Sequence, residues 1–241
     1  LTGWRRAVLA AGLGAMAALG QAPWGLWWAT LAALGALVWL LDRMPDRRAV
    51  FWTGLLAGAG YFALALSWIV EPFLIDIVRH GWMAPFAVLG LSFGLALFWA
   101  AAAVLARSFA RPALGFVVAF VGLEWLRGVI FTGFPWAMLG HVWIGTPLDQ
   151  LAALGGPSLL SLVTLLAATL PVIWRWPGSM GSAVILALAF GFGLWRLDQP
   201  LPEPRPGTVR LVQPNAEQSA KWEAARAREF LDRLLTLTAQ G

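Results

Sequence analysis

Two ionisable residues one helical turn apart are the strongest chemical signal in the sequence. Glu124 and Arg127 stand in the motif Glu124-Trp-Leu-Arg-Gly128, near the end of a long apolar run. Their three-residue spacing places both side chains on one face of a helix. Charges at the end of a membrane span are costly unless they face protein or a wet cavity. The pair therefore indicates either structural support for a site at the membrane surface or an ion pair that holds helices together.

The segment after this pair cannot continue the helix. Thr132-Gly-Phe-Pro-Trp136 contains Gly133 and Pro135, which break helices, and Phe134 and Trp136, which favour the membrane interface. We interpret it as a re-entrant or interfacial loop. Its two aromatic residues could line an opening for a lipid acyl chain, or they could simply anchor the loop in the interface.

The remaining titratable residues form no catalytic pattern. Glu71 and Asp76 lie in a loop, 71–82, that mixes charges with large apolar residues and could contact phospholipid or act as a solvated connector. Spacing fixes no partner for His80 or His141, the two histidines. The chain has no cysteine, which excludes thiolate metal sites and a cysteine nucleophile within these residues. We expect neither a metal nor a cofactor.

The overall composition places these residues in a membrane. Of the 241 residues, 60% are hydrophobic and 12% are charged, against about 25% charged in a typical soluble domain. No soluble fold of this length can bury that much apolar surface, and a disordered chain needs the opposite composition. The formal net charge of +5 comes without any basic run that would indicate nucleic-acid binding. The sequence therefore predicts a multi-pass helical membrane protein.

Seven apolar segments are predicted to cross the bilayer as an all-α bundle. They cover residues 7–20, 24–41, 50–70, 84–106, 113–130, 157–174 and 180–196. With the N-terminus in the cytoplasm, the cytoplasmic segments carry Arg5, Arg6, Arg43, Arg47, Arg48, Arg107, Arg111 and Arg175, against Arg79, Arg127 and Arg196 outside. This distribution follows the positive-inside rule. We predict a transmembrane domain over 1–197, with later residues on the outer face, which is periplasmic in a Gram-negative cell.

The C-terminal segment has a different character. A Pro-rich linker over 198–207 leads to a predicted strand at 208–213 and an amphipathic helix at 219–238. A strand and a helix open an α/β domain, but one strand has no partner and one helix has no sheet to cover. The chain also begins with Leu1. We therefore expect a fragment in which 208–241 is the incomplete start of a domain.

Several short motifs, taken in order, resemble those of bacterial apolipoprotein N-acyltransferases. They are Ala22-Pro-Trp-Gly-Leu26, Ser67-Trp-Ile69, Glu124-Trp-Leu-Arg-Gly128, Thr132-Gly-Phe-Pro-Trp136, Gly155-Gly156, and Val209-Arg-Leu-Val-Gln-Pro-Asn215 followed by Lys221-Trp222. The resemblance covers nearly the whole chain. It implies seven spans of the bacterial inner membrane before a periplasmic nitrilase-like α-β-β-α domain, and one further span after it.

The resemblance also implies an activity. Family members move an acyl chain from a phospholipid, through a cysteine thioester, to the α-amino group of the N-terminal diacylglyceryl-cysteine of an apolipoprotein. Their catalytic glutamate, lysine and cysteine would lie beyond Gly241, so no catalytic residue is assigned and the chain alone is expected to be inactive. The residues expected to bind substrate are Trp222, Phe134 and Trp136, with Glu124 and Arg127 as structural support.

Two functions of other classes stay open. The chain could be a non-enzymatic multi-pass transporter, although it shows no obvious repeat and few ionisable groups at mid-span. It could also be a membrane anchor module. The anchor alternative predicts that alanine at Glu124, Trp136 or Trp222 leaves the activity of the complete protein unchanged.

Overall fold

The computed structural model describes residues 3–200, 207, 209–216, 220 and 223–240. These residues belong to two compact units, 1–199 and 200–241. Every regular element within the described ranges is helical.

The first unit is built from six long helices joined by short turns. The long helices are α1 (Gly3–Ala18), α2 (Trp27–Asp42), α3 (Arg47–Ala65), α6 (Ala84–Ala106), α7 (Pro112–Arg127) and α8 (Ala152–Leu197). Two single-turn helices, α4 (Glu71–Leu74) and α5 (Ile77–His80), lie between α3 and α6. Short 3₁₀ turns cover Ser67–Val70, Gly81–Met83, Ile130–Thr132, Leu139–Trp143 and Pro147–Leu151.

Several of these helices have the length and composition of membrane spans. Three helical segments meet both criteria, namely Arg47–Ala65, Ile77–Ala106 and Pro147–Leu197, and Trp27–Asp42 is a shorter apolar helix. The described residues thus form an all-helical bundle with apolar helices, as expected for a membrane protein. The count of seven spans stays a prediction.

α8 consists of two arms that double back on each other. Arg175, with φ 51° and ψ −120°, interrupts the helix and reverses the chain. Ser182 Oγ in the second arm donates to the Ala167 carbonyl in the first at 2.8 Å, and a Cβ at Gly178 would collide with the Leu170 carbonyl. The arms therefore run antiparallel, and they correspond to the predicted segments 157–174 and 180–196.

Two predicted spans end earlier in the structure. The segment predicted at 50–70 stops being α-helical after Ala65, and residues 67–70 form a separate 3₁₀ turn. The segment predicted at 113–130 ends at Arg127, because the chain turns into left-handed backbone at Phe131. In both places the residues stay apolar, so hydropathy alone does not reveal the helix end.

An aromatic cluster fills the core between α3, α6 and α7. Trp99 lies at its centre, with ring centroids 5.0 Å from those of Tyr61 and Phe120 and 6.2 Å from that of Phe62. All four side chains are buried. Edge-to-face and tilted contacts of this kind add to the burial of apolar surface, and they join α3 to both of its neighbours.

α1 packs unusually close to α3 through glycines on facing surfaces. A Cβ at Gly14 would collide with the Ala57 carbonyl, and a Cβ at Gly60 would collide with the Ala11 carbonyl. Small residues that allow backbones to touch are a common basis of helix association in membranes, where burial from water supplies little driving force.

The second unit contains one helix and no β-ladder among its described residues. The strand prediction for 208–213 is wrong for its described part, 209–213, because no second strand in the described residues pairs with it. The helix prediction is confirmed, although α9 covers Ala224–Ala239 and begins five residues later than expected. Arg233 donates to the Pro214 carbonyl at 3.2 Å, and Arg210 donates to the Thr238 carbonyl, so α9 lies against 209–216.

The α1–α3 contact makes a direct prediction. Gly14→Ala should lower the free energy of unfolding by about 1–3 kcal/mol, because the new methyl group overpacks the contact. Gly12→Ala is the matched control on the same helix, since nothing lies within 4 Å of its Cβ position. It should leave stability unchanged or raise it slightly. Reversible unfolding in mixed detergent micelles measures both, and equal effects of the two substitutions would contradict the packing argument.

Candidate functional site

The loop after α7 folds back over the end of that helix. Phe131 and Thr132 adopt positive φ angles of 51° and 73°, followed by Gly133 at 84°. A Cβ at Gly133 would collide with the Gly128 carbonyl, so only glycine fits this close approach. The Phe134 N–H then donates to the Arg127 carbonyl at 3.0 Å. Residues 133–138 are non-helical, as expected, but α7 already ends at Arg127, so Gly133 shapes the tight reversal after the helix and does not end it.

Glu124 and Arg127 bind the backbone of this loop. Both side chains are buried, with 5% and 3% of their surface exposed. Arg127 Nη1 donates to the carbonyls of Phe134 and Trp136, each at 2.8 Å. Glu124 Oε1 accepts from the Leu139 N–H at 2.8 Å. Two buried charges at the end of one helix thus hold the backbone of residues 134–139.

One of the two interpretations of these residues, a direct ion pair between their side chains, is not observed. No contact of 4.0 Å or less joins the carboxylate to the guanidinium among the described residues, where the ion pairs are those of Glu229 with Arg226 and Arg233. The backbone of the loop competes for the same charged atoms. A charge that binds main-chain groups gains hydrogen bonds as strong as those of a direct pair, and here those bonds fix a loop.

The space beside the two charges is too small for a substrate. A cavity lined by Phe98, Trp99, Phe120, Glu124 and Arg127 has a volume of about 10 Å³, roughly enough for one water-sized sphere. The supporting role expected for Glu124 and Arg127 stays a prediction, and the small volume of this cavity is compatible with it.

Gln21 and Tyr61 hold the loop from the other side, and sequence reasoning missed both. Gln21 Nε2 donates to the Tyr61 hydroxyl at 2.6 Å and to the Met138 carbonyl at 2.9 Å. The three groups are buried. A weak signal was present, since Gln21 is a polar residue directly after an apolar run and Tyr61 is the one tyrosine in the sequence.

α8 supplies a third set of bonds to the same segment. The Gly140 N–H donates to Ser161 Oγ at 2.9 Å, and Trp143 Nε1 donates to Thr164 Oγ1 at 2.7 Å. Thr164 Oγ1 also donates to the carbonyl of Leu160 in its own helix. Residues 134–143 are therefore bonded to α7, to the turn after α1 and to α8. We call this segment, residues 134–143, the platform.

An aromatic rim stands on the outer side of the platform. Trp136 packs against Trp68 and Phe134, with ring centroids 5.1 and 5.5 Å apart. Trp136 is 53% exposed, and Phe131 is 92% exposed. We call these four residues the rim. The structure thus brings Phe134 and Trp136 together with Glu124 and Arg127, whereas Trp222 lies outside the described residues. The expected binding of substrate at Phe134, Trp136 and Trp222 stays a prediction.

The loop between α3 and α6 also presents apolar side chains outward. Its exposed members are Leu74, Ile75, Ile77, Val78, Trp82 and Met83. Asp76 accepts from the Arg79 N–H at 3.2 Å and so caps the single turn of α5. A chain segment with this much exposed apolar surface suits the lipid interface better than water.

His141 lies at the edge of the platform as a half-buried side chain. Burial lowers the pKa of this imidazole, and the nearby charge of Arg127 lowers it further. Both effects favour the neutral form of the imidazole. Within the described residues, no three histidine, aspartate or glutamate side chains are grouped in a way that could hold a metal ion.

The bonds of Arg127 predict how the platform opens. Because the chain has no cysteine, Met138→Cys provides a single thiol at a buried position. Adding Arg127→Leu should speed maleimide labelling of that thiol by about tenfold or more, since it leaves the carbonyls of Phe134 and Trp136 without their partner, at a cost of about 1–3 kcal/mol for each group, and so favours local opening. Arg196→Leu is the control at an exposed arginine. If the Met138→Cys thiol is labelled at the same rate with and without Arg127→Leu, Arg127 does not hold the platform.

The two bonds of Gln21 give a graded prediction. Gln21→Leu leaves the Met138 carbonyl and the Tyr61 hydroxyl unpaired, which should cost about 1–3 kcal/mol for each buried group. Tyr61→Phe leaves the Gln21–Met138 bond intact and should cost only about 1 kcal/mol. Thermal unfolding in detergent ranks the two. A larger loss for Tyr61→Phe would show that the tyrosine, and not the glutamine, anchors the platform.

Comparison with known proteins places this architecture in a family. A family model described as the apolipoprotein N-acyltransferase N-terminal domain matches residues 13–170, which include the complete platform. Among curated relatives, the apolipoprotein N-acyltransferase of Caulobacter vibrioides is 43% identical over 250 residues, covering 98% of this chain and 47% of the relative. Those of Allorhizobium ampelinum and Brucella suis are 38% and 37% identical, covering 99% and 100% of this chain and 49% of each relative.

The chain spans about half the length of the curated relatives it matches. Since the family model covers well over half of the chain, the resemblance inferred from its short motifs is confirmed, and the chain belongs to the apolipoprotein N-acyltransferase family.

Proposed function

We propose that this chain forms the membrane domain, and the start of the following domain, of an acyltransferase that matures bacterial lipoproteins. The observation that carries the proposal is the family match over residues 13–170, which includes α7, the platform and most of the first arm of α8. The relatives named above are all called apolipoprotein N-acyltransferases.

The proposed reaction has two steps. A cysteine thiolate attacks the ester carbonyl of a phospholipid, forms a thioester and releases the lysophospholipid. The α-amino group of the diacylglyceryl-cysteine on the apolipoprotein then attacks the thioester, forms an amide and releases the thiol. The glutamate base, the lysine and the cysteine would lie beyond residue 241, so this chain contributes positioning and not bond chemistry.

The rim is the proposed contact for acyl chains. Trp136 and Phe131 expose large apolar surfaces, while the backbone beneath them is held by buried charges. Such an arrangement can guide a flexible chain without losing its own shape. Together with the apolar loop 71–82, it would admit acyl chains sideways from the bilayer.

The proposed location is the bacterial inner membrane, with the N-terminus in the cytoplasm and residues after about 197 in the periplasm. The distribution of arginines supports this orientation. In that orientation, the platform and the rim would lie on the periplasmic side.

A chimera provides the test of function. Residues 1–241 should replace the aligned part of the Caulobacter vibrioides relative, in cells whose own copy of that enzyme has been shut off. Mass spectrometry of the N-terminal peptide of a lipoprotein then shows whether its α-amino group has gained an acyl chain. Gain of the acyl chain is the expected result. A chimera that reaches the membrane and leaves the peptide unacylated would overturn the proposal, and residues 1–241 alone serve as the inactive control.

Within that chimera, Trp136→Ala should raise the KM for phospholipid by about tenfold, because one buried aromatic contact is worth about 1–1.5 kcal/mol. The matched control is Trp52→Ala, since Trp52 is similarly exposed but lies near the start of α3. Unchanged kinetics for both variants would favour the membrane-anchor alternative. Substrate-dependent flux into liposomes would favour a transporter.

A further inference from the structure

The first unit also contains a groove that lies apart from the platform and is large enough for part of a lipid. A groove of about 870 Å³ opens between α2 and the first arm of α8, and its volume falls within the roughly 300–1,000 Å³ of pockets that take small organic ligands. The platform contacts the first arm at Ser161 and Thr164. The groove instead extends to Arg175, where that arm ends.

Small residues create the apolar part of this groove. Its walls include Ala32, Gly35 and Ala36 from α2, and Ala167, Ala168 and Pro171 from α8. At Gly35 the helices are nearly in contact, since a Cβ there would lie 3.1 Å from the Ala168 carbonyl. Because alanine side chains do not fill the space beside that contact, an open surface groove with apolar walls remains.

The mouth of the groove carries a net positive charge. Arg43 and Arg175 line it together with one acidic residue, Asp42, and all three side chains are exposed. The Arg43 guanidinium lies over the Trp39 ring at 4.0 Å and donates one bond to the Trp39 carbonyl at 3.3 Å. This bond uses one of the five N–H donors of the Arg43 guanidinium, so the others are available to a ligand. In the part of the chain that the structure describes, neither arginine has a carboxylate within 4.0 Å.

We propose that this groove binds an anionic phospholipid, with one acyl chain between α2 and α8 and the phosphate at Arg43 and Arg175. Two arginines and one aspartate favour a lipid of net negative charge over a zwitterionic lipid. Trp39 beside Arg43 is suited to the headgroup level of a bilayer. Basic pockets between membrane helices on the cytoplasmic side are a general means of recognising anionic headgroups.

This lipid is distinct from an acyl donor. The groove and the rim involve different parts of the first unit, and no residue lines both. A phospholipid in the groove would lie in the cytoplasmic leaflet if the arginine distribution gives the orientation. It would bind whether or not the chain takes part in acyl transfer.

The test uses the full chain in detergent micelles, titrated with phosphatidylglycerol or phosphatidylcholine and observed by native mass spectrometry. Phosphatidylglycerol should bind more tightly. Arg43→Gln with Arg175→Gln should weaken its binding by about 30-fold, and each single substitution by about fivefold, given about 1 kcal/mol for each arginine near a lipid surface. Arg48→Gln, at an exposed arginine outside the groove, should leave it unchanged.

A groove-filling variant separates the chain contact from the charge contact. Ala36→Phe should weaken binding of both lipids, because the new ring occupies the space of the acyl chain. If the double arginine variant fails to fold, either single variant serves in its place. Equal affinity for the two lipids in the unaltered chain, or the same loss for Arg48→Gln as for Arg43→Gln, would overturn the proposal.

Discussion

The hydrogen bonds from Glu124 and Arg127 to the loop backbone are the constraint on which the site depends. A loop of this kind at the edge of a membrane carries main-chain N–H and carbonyl groups that no helix satisfies. Two buried charges at the end of α7 supply partners for three of them. These bonds satisfy each side in part, because Glu124 Oε2 and Arg127 Nη2 are buried without a hydrogen-bond partner among the described residues.

The sources of these bonds explain the shape of the platform. Gln21 comes from the turn after α1, while Ser161 and Thr164 come from the first arm of α8. The loop is therefore held at points that are far apart in sequence but close in space. Trp136 remains exposed on the outer side of the loop, whereas Trp143 is buried and bonded to α8. This division between a rigid polar base and an exposed apolar rim suits a protein that handles lipid chains.

Local chemistry made part of this arrangement predictable from the sequence. The backbone properties of Gly133 and Pro135 predict the non-helical segment after α7, and the spacing of Glu124 and Arg127 places them on one face. The bonds of Gln21 were not predictable, because they join residues 40 and 117 positions apart. The bonds of Ser161 and Thr164 were not predictable either, because each is a small uncharged residue within an apolar span. The strand prediction failed at 209–213 because alternating side chains form a strand only where a partner strand exists.

The reversal at Arg175 gives the first arm of α8 a mechanical property. From Ser161 to Arg175 this arm rises by about 21 Å as a helix, and it carries platform bonds near one end and the groove mouth at the other. With a single residue at the turn, the second arm allows little slack. A tilt of this segment about its middle would therefore displace the platform bonds and the mouth of the groove in opposite directions.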